Sequence, residues 1–177
     1  MKLWVWSALR CVRFRSHALQ QVVHRILEEA GAPGAELGLL FIGDRRMRRL
    51  NRLYRGRDYP TDVLAFPMTL TYPAPLRGGG LGRGGPRAPR PAPDLLGDVV
   101  ISLHRAASQA RQAGHPLDRE MLQLLVHGIL HLLGYDHERG EREARRMRGK
   151  ELAILRSLTP LPKLFEADRD SALARNR

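Results

Sequence analysis

The sequence predicts an α+β domain, a small mixed β-sheet of about four strands packed against several helices. Three observations lead there. Short apolar runs of strand length fall in the first 102 residues, at 3–6, 36–42, 63–66 and 98–102. Stripes of helical period lie between them and cluster toward the end, the mix of periods expected of a sheet layered with helices. At 177 residues, with 43% hydrophobic and 27% charged side chains, the chain has the size and balance of one globular domain. Residues 1–158 are read as that domain and 159–177 as a flexible C-terminal tail.

Taken in order, residues 3–6 form a first strand, and Ser16 is placed to cap a helix carrying Leu19, Val22, Val23, Ile26, Leu27 and Ala30 up to Gly31. Glu36–Ile42 is a second strand, followed by Gly43 and Asp44 as the cap of the next helix, about 45–54. Met47, Leu50 and Tyr54 lie on one side of that helix, and Arg45, Arg46, Arg48, Arg49 and Arg52 elsewhere on it. Val63–Phe66 is a strand closed by Pro67, and Asp98–Ser102 another, with Ser102 capping a helix that carries Leu103, Ala106, Ala107 and Ala110. A helix starting at Asp118 follows. The last helix comes after His137, supported by Glu138–Arg142 and Glu141–Arg145 pairs. Residues 73–93 stand apart: six Pro, six Gly, four Arg and no acid cannot bury a core, so a disordered insertion is expected there.

The segment HGILHLLGYDH, residues 127–137, carries the chemistry. His127 and His131 are one helical turn apart on one face, so both imidazoles can address one point. Gly134 is a left-handed stop for the helix, and the turn after it delivers His137 to the same place. Three neutral imidazoles make a three-coordinate site for a borderline metal such as Zn²⁺, one per chain, with a fourth position open to water. The spacing is that of the metzincin metalloproteases, whose general base follows the first His as Glu. Here that residue is Gly128. Glycine inside a helix costs about 1 kcal/mol relative to alanine. Its presence is read as space opened over the helix for a bulky anionic substrate.

Composition narrows the partners. A formal net charge of +12 and a pI near 11.2 make a polyanion, most naturally nucleic acid, the expected ligand. The single Cys11 excludes an intramolecular disulfide and a cysteine-based zinc site. No run approaches the ~18 apolar residues of a membrane span. A cytoplasmic location is expected; residues 1–27 contain no acid, which keeps an organellar matrix as the second option.

Three blocks in order, LNRLYRGRDYPTDVLAFP at 50–67, LGDVVIS at 96–102 and HGILHLLGYDH at 127–137, resemble the YbeY family of metal-dependent, single-strand-specific endoribonucleases that mature ribosomal RNA. The resemblance spans roughly residues 37–155 apart from the insertion. It implies zinc ligation by His127, His131 and His137, a catalytic role for Arg55, and ribosomal RNA of the small subunit as partner, in 3′-end maturation and ribosome quality control. Ala65 stands where the family usually has Ser, and Arg57 where it usually has Lys.

A guanidinium, always charged and with a planar donor fork, suits a phosphodiester, which agrees with the role implied for Arg55 beside its Pro-Thr-Asp turn. Asp62 and Asp98 read as turn or supporting residues, and Asp136 as the group that orients a histidine N–H. Two rivals stand beside the nuclease: a zinc-stabilised RNA- or ribosome-binding factor without catalysis, and a zincin-type protease. The missing Glu at 128 argues against the second.

Overall fold

The computed structural model describes residues 2–9, 12–68 and 95–166. The insertion expected at 73–93 lies outside them, as do Cys11 and residues 167–177. Strands β1 (Leu3–Ser7), β2 (Glu36–Ile42), β3 (Val63–Pro67) and β4 (Leu95–Ser102) form one mixed sheet in the order β1-β2-β4-β3. The first three of that order are parallel, and β3 returns antiparallel on β4, with Val63 opposite Ile101 and Phe66 opposite Asp98. The helices are α1 (Ser16–Ala30), α2 (Asp44–Arg55), α3 (Leu103–Gln112), α4 (Leu117–Leu132) and α5 (Glu141–Ser157), with a 3₁₀ turn at His137–Arg139. The mixed sheet of four strands with helices packed on it is the expected architecture.

Side chains on a strand alternate between faces, and the two faces here are covered unequally. Leu37, Leu39, Phe41, Val99 and Ile101 are fully buried in the main core, with Leu19, Ile26 and Leu27 of α1 and Met121, Leu125 and Ile129 of α4. Each such side chain contributes roughly 1.5–3 kcal/mol by leaving water. The opposite face holds a small cluster, Ile42, Met47, Leu64 and Val100, under α2. So few apolar contacts leave α2 reliant on polar ties. Asp44 Oδ1 accepts from Ser102 Oγ at 2.6 Å, and buried Asn51 donates through Nδ2 to the Tyr59 carbonyl at 2.8 Å.

The ends of three segments depart from expectation. Ser16 is the first helical residue rather than the cap, and no side chain caps α1; Arg15 N–H donates instead to the Leu164 carbonyl at 2.8 Å. Asp44 likewise lies inside α2, behind Gly43, because its carboxylate is engaged by Ser102 from another strand. Ser102 does cap α3, accepting from Arg105 N–H at 3.4 Å. The tail expected to be flexible from Thr159 is docked as far as Glu166: Leu164 is fully buried, its N–H donates to Asp118 Oδ1 at 2.7 Å, and Phe165 bridges to Phe14. Glu138 sits in the 3₁₀ turn ahead of α5, so of the two expected helix pairs it is Glu141–Arg145 that forms, at 3.3 Å.

Candidate metal centre

Helix α4 is apolar enough to be buried against the sheet, and that burial fixes where its polar residues emerge. An added Cβ at Gly128 would stand 2.5 Å from Val99 Cγ1 and 3.2 Å from Val63 Cγ2. Gly128 therefore does not open space for a substrate, as its sequence reading held. It faces the sheet, and the absent side chain lets α4 pack directly on β3 and β4. With Gly128 turned inward, His127 and His131 emerge at the helix edge, both half-buried.

The helix then stops as its sequence predicts. Gly134 has φ +86°, its N–H donates to the His131 carbonyl at 3.0 Å, and Tyr135 N–H donates to the Leu130 carbonyl at 3.0 Å. These are the two bonds of a Schellman stop. Asp136 next caps the 3₁₀ turn, accepting from Glu138 N–H at 2.9 Å and Arg139 Nε at 3.1 Å. Those bonds, the backbone one foremost, hold its carboxyl below the ordinary value. Asp136 thus sets the turn that presents His137 and does not orient an imidazole N–H.

One ring nitrogen from each of His127, His131 and His137 lies within 4.8 Å of the others. Ring centroids are 4.6 Å apart for His127–His131 and 5.2 Å for each pair with His137. The Nε2 atoms of His127 and His131 are 3.0 Å apart. Ligand nitrogens on a tetrahedral zinc stand about 3.3 Å apart, given Zn–N bonds of about 2.0–2.1 Å, so the donor set fits such an ion with small ring movements. Among the described residues the cluster has no fourth His, Cys, Asp or Glu. Burial foremost, and then the neighbouring His127 and His137, push the His131 pKa down, keeping that ring neutral and its lone pair free.

Glu151 of α5 was not singled out in the sequence. His127 Nδ1 and Glu151 Oε1 are 2.7 Å apart. A carboxylate there accepts a hydrogen bond from Nδ1–H, which leaves the His127 Nε2 lone pair facing His131. Nothing local marks Glu151 among the acids of its helix; only the packing of α5 on α4 pairs them. Glu151→Ala is expected to weaken metal binding by about 10–100-fold without loss of fold. Glu151→Gln, whose carbonyl still accepts from Nδ1, should lose less. Competition titration against a chelator reads both.

A cavity of about 380 Å³ opens beside His127 and is lined also by Asp62, Val63, Arg148 and Glu151. Asp62 is a turn residue, as expected: Oδ1 accepts from Val63 N–H at 2.8 Å and Thr61 Oγ1 at 3.0 Å, and Oδ2 from Gln109 Nε2 at 2.9 Å. Burial raises its pKa, but the bonds from Gln109, Val63 and Thr61 outweigh that and leave it lowered. A lowered folded-state pKa means stability present above the unfolded value near 3.8 and lost as pH falls through the folded one. The thermal midpoint of Asp62→Asn should accordingly depend less steeply on pH below about 4 than that of the parent.

Asp98 is on the far face, one residue out of phase with Val99, and plays no part at the histidines. Ala65, in phase with Val63, packs against the main core, where a methyl group needs no hydrogen-bond partner. Arg55 is the last residue of α2, exposed, and is not among the residues lining the cavity. The loop after it is firmly held. Arg48 grips Asp58 through Nε at 3.0 Å and Nη2 at 2.7 Å, and Arg105 Nε donates to the Pro60 carbonyl at 3.2 Å.

Known proteins bear on this arrangement. The family model described as endoribonuclease YbeY matches residues 10–159. Relatives named endoribonuclease YbeY include those of Syntrophotalea carbinolica, 45% identical over 77% of this chain and 81% of the relative, and of Aquifex aeolicus, 39% identical over 83% and 86%. The solution structure of a Thermotoga maritima protein superposes with a TM-score of 0.56 over 88% of both chains at 22% identity, a likeness of fold. The blocks around Arg55, Gly97 and the three histidines lie within the matched span, and the chain belongs to the endoribonuclease YbeY family.

Proposed function

We propose that this protein is a zinc-dependent, single-strand-specific endoribonuclease that acts on ribosomal RNA of the small subunit, in 3′-end maturation and ribosome quality control, in the cytoplasm. The observation that carries the reading is the convergence of His127, His131 and His137 beside an open cavity in a chain of net charge +12. A zinc ion held by them would supply a Lewis acid for a phosphoryl oxygen and would activate water at neutral pH. The residues around it do the rest. Glu151 fixes the His127 tautomer, Asp136 fixes the turn bearing His137, and Arg148 brings a guanidinium to the cavity wall.

Arg55 is assigned the grip on the scissile phosphodiester. Its side chain is exposed at the end of α2, and the loop from Arg57 to Asp62 runs on from it to the cavity. Asn51, Arg48 and Arg105 brace that loop, so the guanidinium is carried on a rigid support. Arg55→Ala should keep zinc content and thermal midpoint while cutting cleavage by about 10²-fold, the value of a charge-assisted contact realised in the transition state. Arg55→Lys restores part of the rate, since it keeps the charge without the fork. Unchanged cleavage in both variants removes Arg55 from the site.

The direct test is cleavage of single-stranded against structured RNA of equal length, together with metal analysis of the same preparation. Zinc near one per chain with preferential cutting of the single strand is the expected result. Bound zinc without cleavage of either RNA would favour a zinc-stabilised RNA-binding factor.

A further inference from the structure

A second cavity, of about 580 Å³, lies away from the histidines, where β1 and β2 end and α2 and α3 begin. Four arginines line it, Arg45, Arg46, Arg105 and Arg111, against one acid, Asp44, already engaged by Ser102. The clustering is unfavourable by itself, since like charges repel, and it is resolved when an anion joins them. His104 lines the same cavity, but its Nε2 is buried, with no hydrogen-bond partner among the described residues, so the ring bounds the cavity without offering it a donor.

The rim adds a flat aromatic surface. The Arg46 guanidinium stands over the Trp6 ring at 5.5 Å, and Trp6 is half exposed. Such a pair offers a base an open stacking face, which an unpaired strand can use and a duplex cannot. One contact links the cavity to the loop that leads to the histidines. Arg105 binds the Pro60 carbonyl, and two residues further Asp62 lines the cavity beside His127.

We infer that this cavity binds backbone phosphates of the single-stranded RNA substrate away from the bond being cut, with a base stacked on Trp6 at its rim. The inference rests on the endoribonuclease reading above and names a subsite for its substrate. Phosphate oxygens would accept from Arg45 and Arg111. Because these contacts lie away from the metal, they serve binding and leave the chemical step alone.

The test is fluorescence anisotropy of a 2′-O-methylated single-stranded oligoribonucleotide with the full-length, zinc-loaded protein across a salt series. Arg45→Ala/Arg111→Ala is compared with Arg13→Ala/Arg25→Ala, which removes the same charge from exposed positions elsewhere. The first pair should weaken binding about tenfold and reduce the log–log salt slope by about 1.4, at ~0.7 per phosphate of a single strand. The second pair should leave the slope at its wild-type value. Equal slopes and affinities in the two double variants overturn the subsite and leave the nuclease reading standing. Loss of tripolyphosphate binding in Arg45→Ala/Arg111→Ala, with oligonucleotide binding unchanged, also overturns it, in favour of a site for a small free polyphosphate. Failure of the wild-type protein to bind the oligonucleotide at all overturns both readings.

Discussion

Gly128→Glu, which would complete the HExxH pattern of a zincin, is expected to yield a chain that does not fold, and no protease. Position 128 faces Val99 and Val63, with 2.5 Å between an added Cβ and Val99 Cγ1. Alanine alone would overpack that contact, a change that typically costs about 1–3 kcal/mol. Its better helix propensity returns about 1 kcal/mol of this. Gly128→Ala should therefore be folded but weakened, with a lowered thermal midpoint. Glutamate adds an ionised carboxylate driven between helix and sheet with no partner there, a burial that costs several kcal/mol more than overpacking. Against a total stability of about 5–15 kcal/mol, the sum is enough to unfold the domain. Circular dichroism melts of the two variants check the series. A Gly128→Glu protein melting with the parent would show that α4 can lift from the sheet, and the packing explanation would fail.

His131→Ala should reduce bound zinc from about one per chain to almost none and abolish RNA cleavage, with the fold retained. The ring is half-buried at the end of α4, its Nε2 is 3.0 Å from that of His127, and alanine is the best helix former for the vacated position. Loss of a supporting hydrogen bond behind a ligand already costs about 10–100-fold in metal affinity, so loss of the ligand itself should exceed that. Metal analysis beside a single-stranded RNA cleavage assay reads both quantities on one sample. Full activity with no bound metal in this variant would overturn the metal-centred mechanism.

The histidine cluster was legible in the sequence because its geometry is mostly local. Spacing along one helix aligns His127 with His131, and Gly134 permits the left-handed residue that turns the chain toward His137. The order of strands and helices was legible for a similar reason, since apolar period follows secondary structure over a few residues. Helix starts were less so. Ser16 and Asp44 have the right chemistry for caps, but a backbone bridge from Leu164 and a hydroxyl from Ser102 decide those ends, and both come from distant segments.

What the sequence by itself determined is the sheet-and-helix class, the three-histidine donor set and the cationic character of the chain. What the tertiary structure decided is everything that depends on segments meeting. Glu151 lies 24 residues from His127 and becomes its partner when α5 packs on α4. The glycine at 128 takes its meaning from two valines on β3 and β4, and four arginines line one cavity between α2 and α3. The reason is physical: hydrogen bonds, steric contact and charge act over a few ångströms of space, while sequence pattern records only neighbours along the chain.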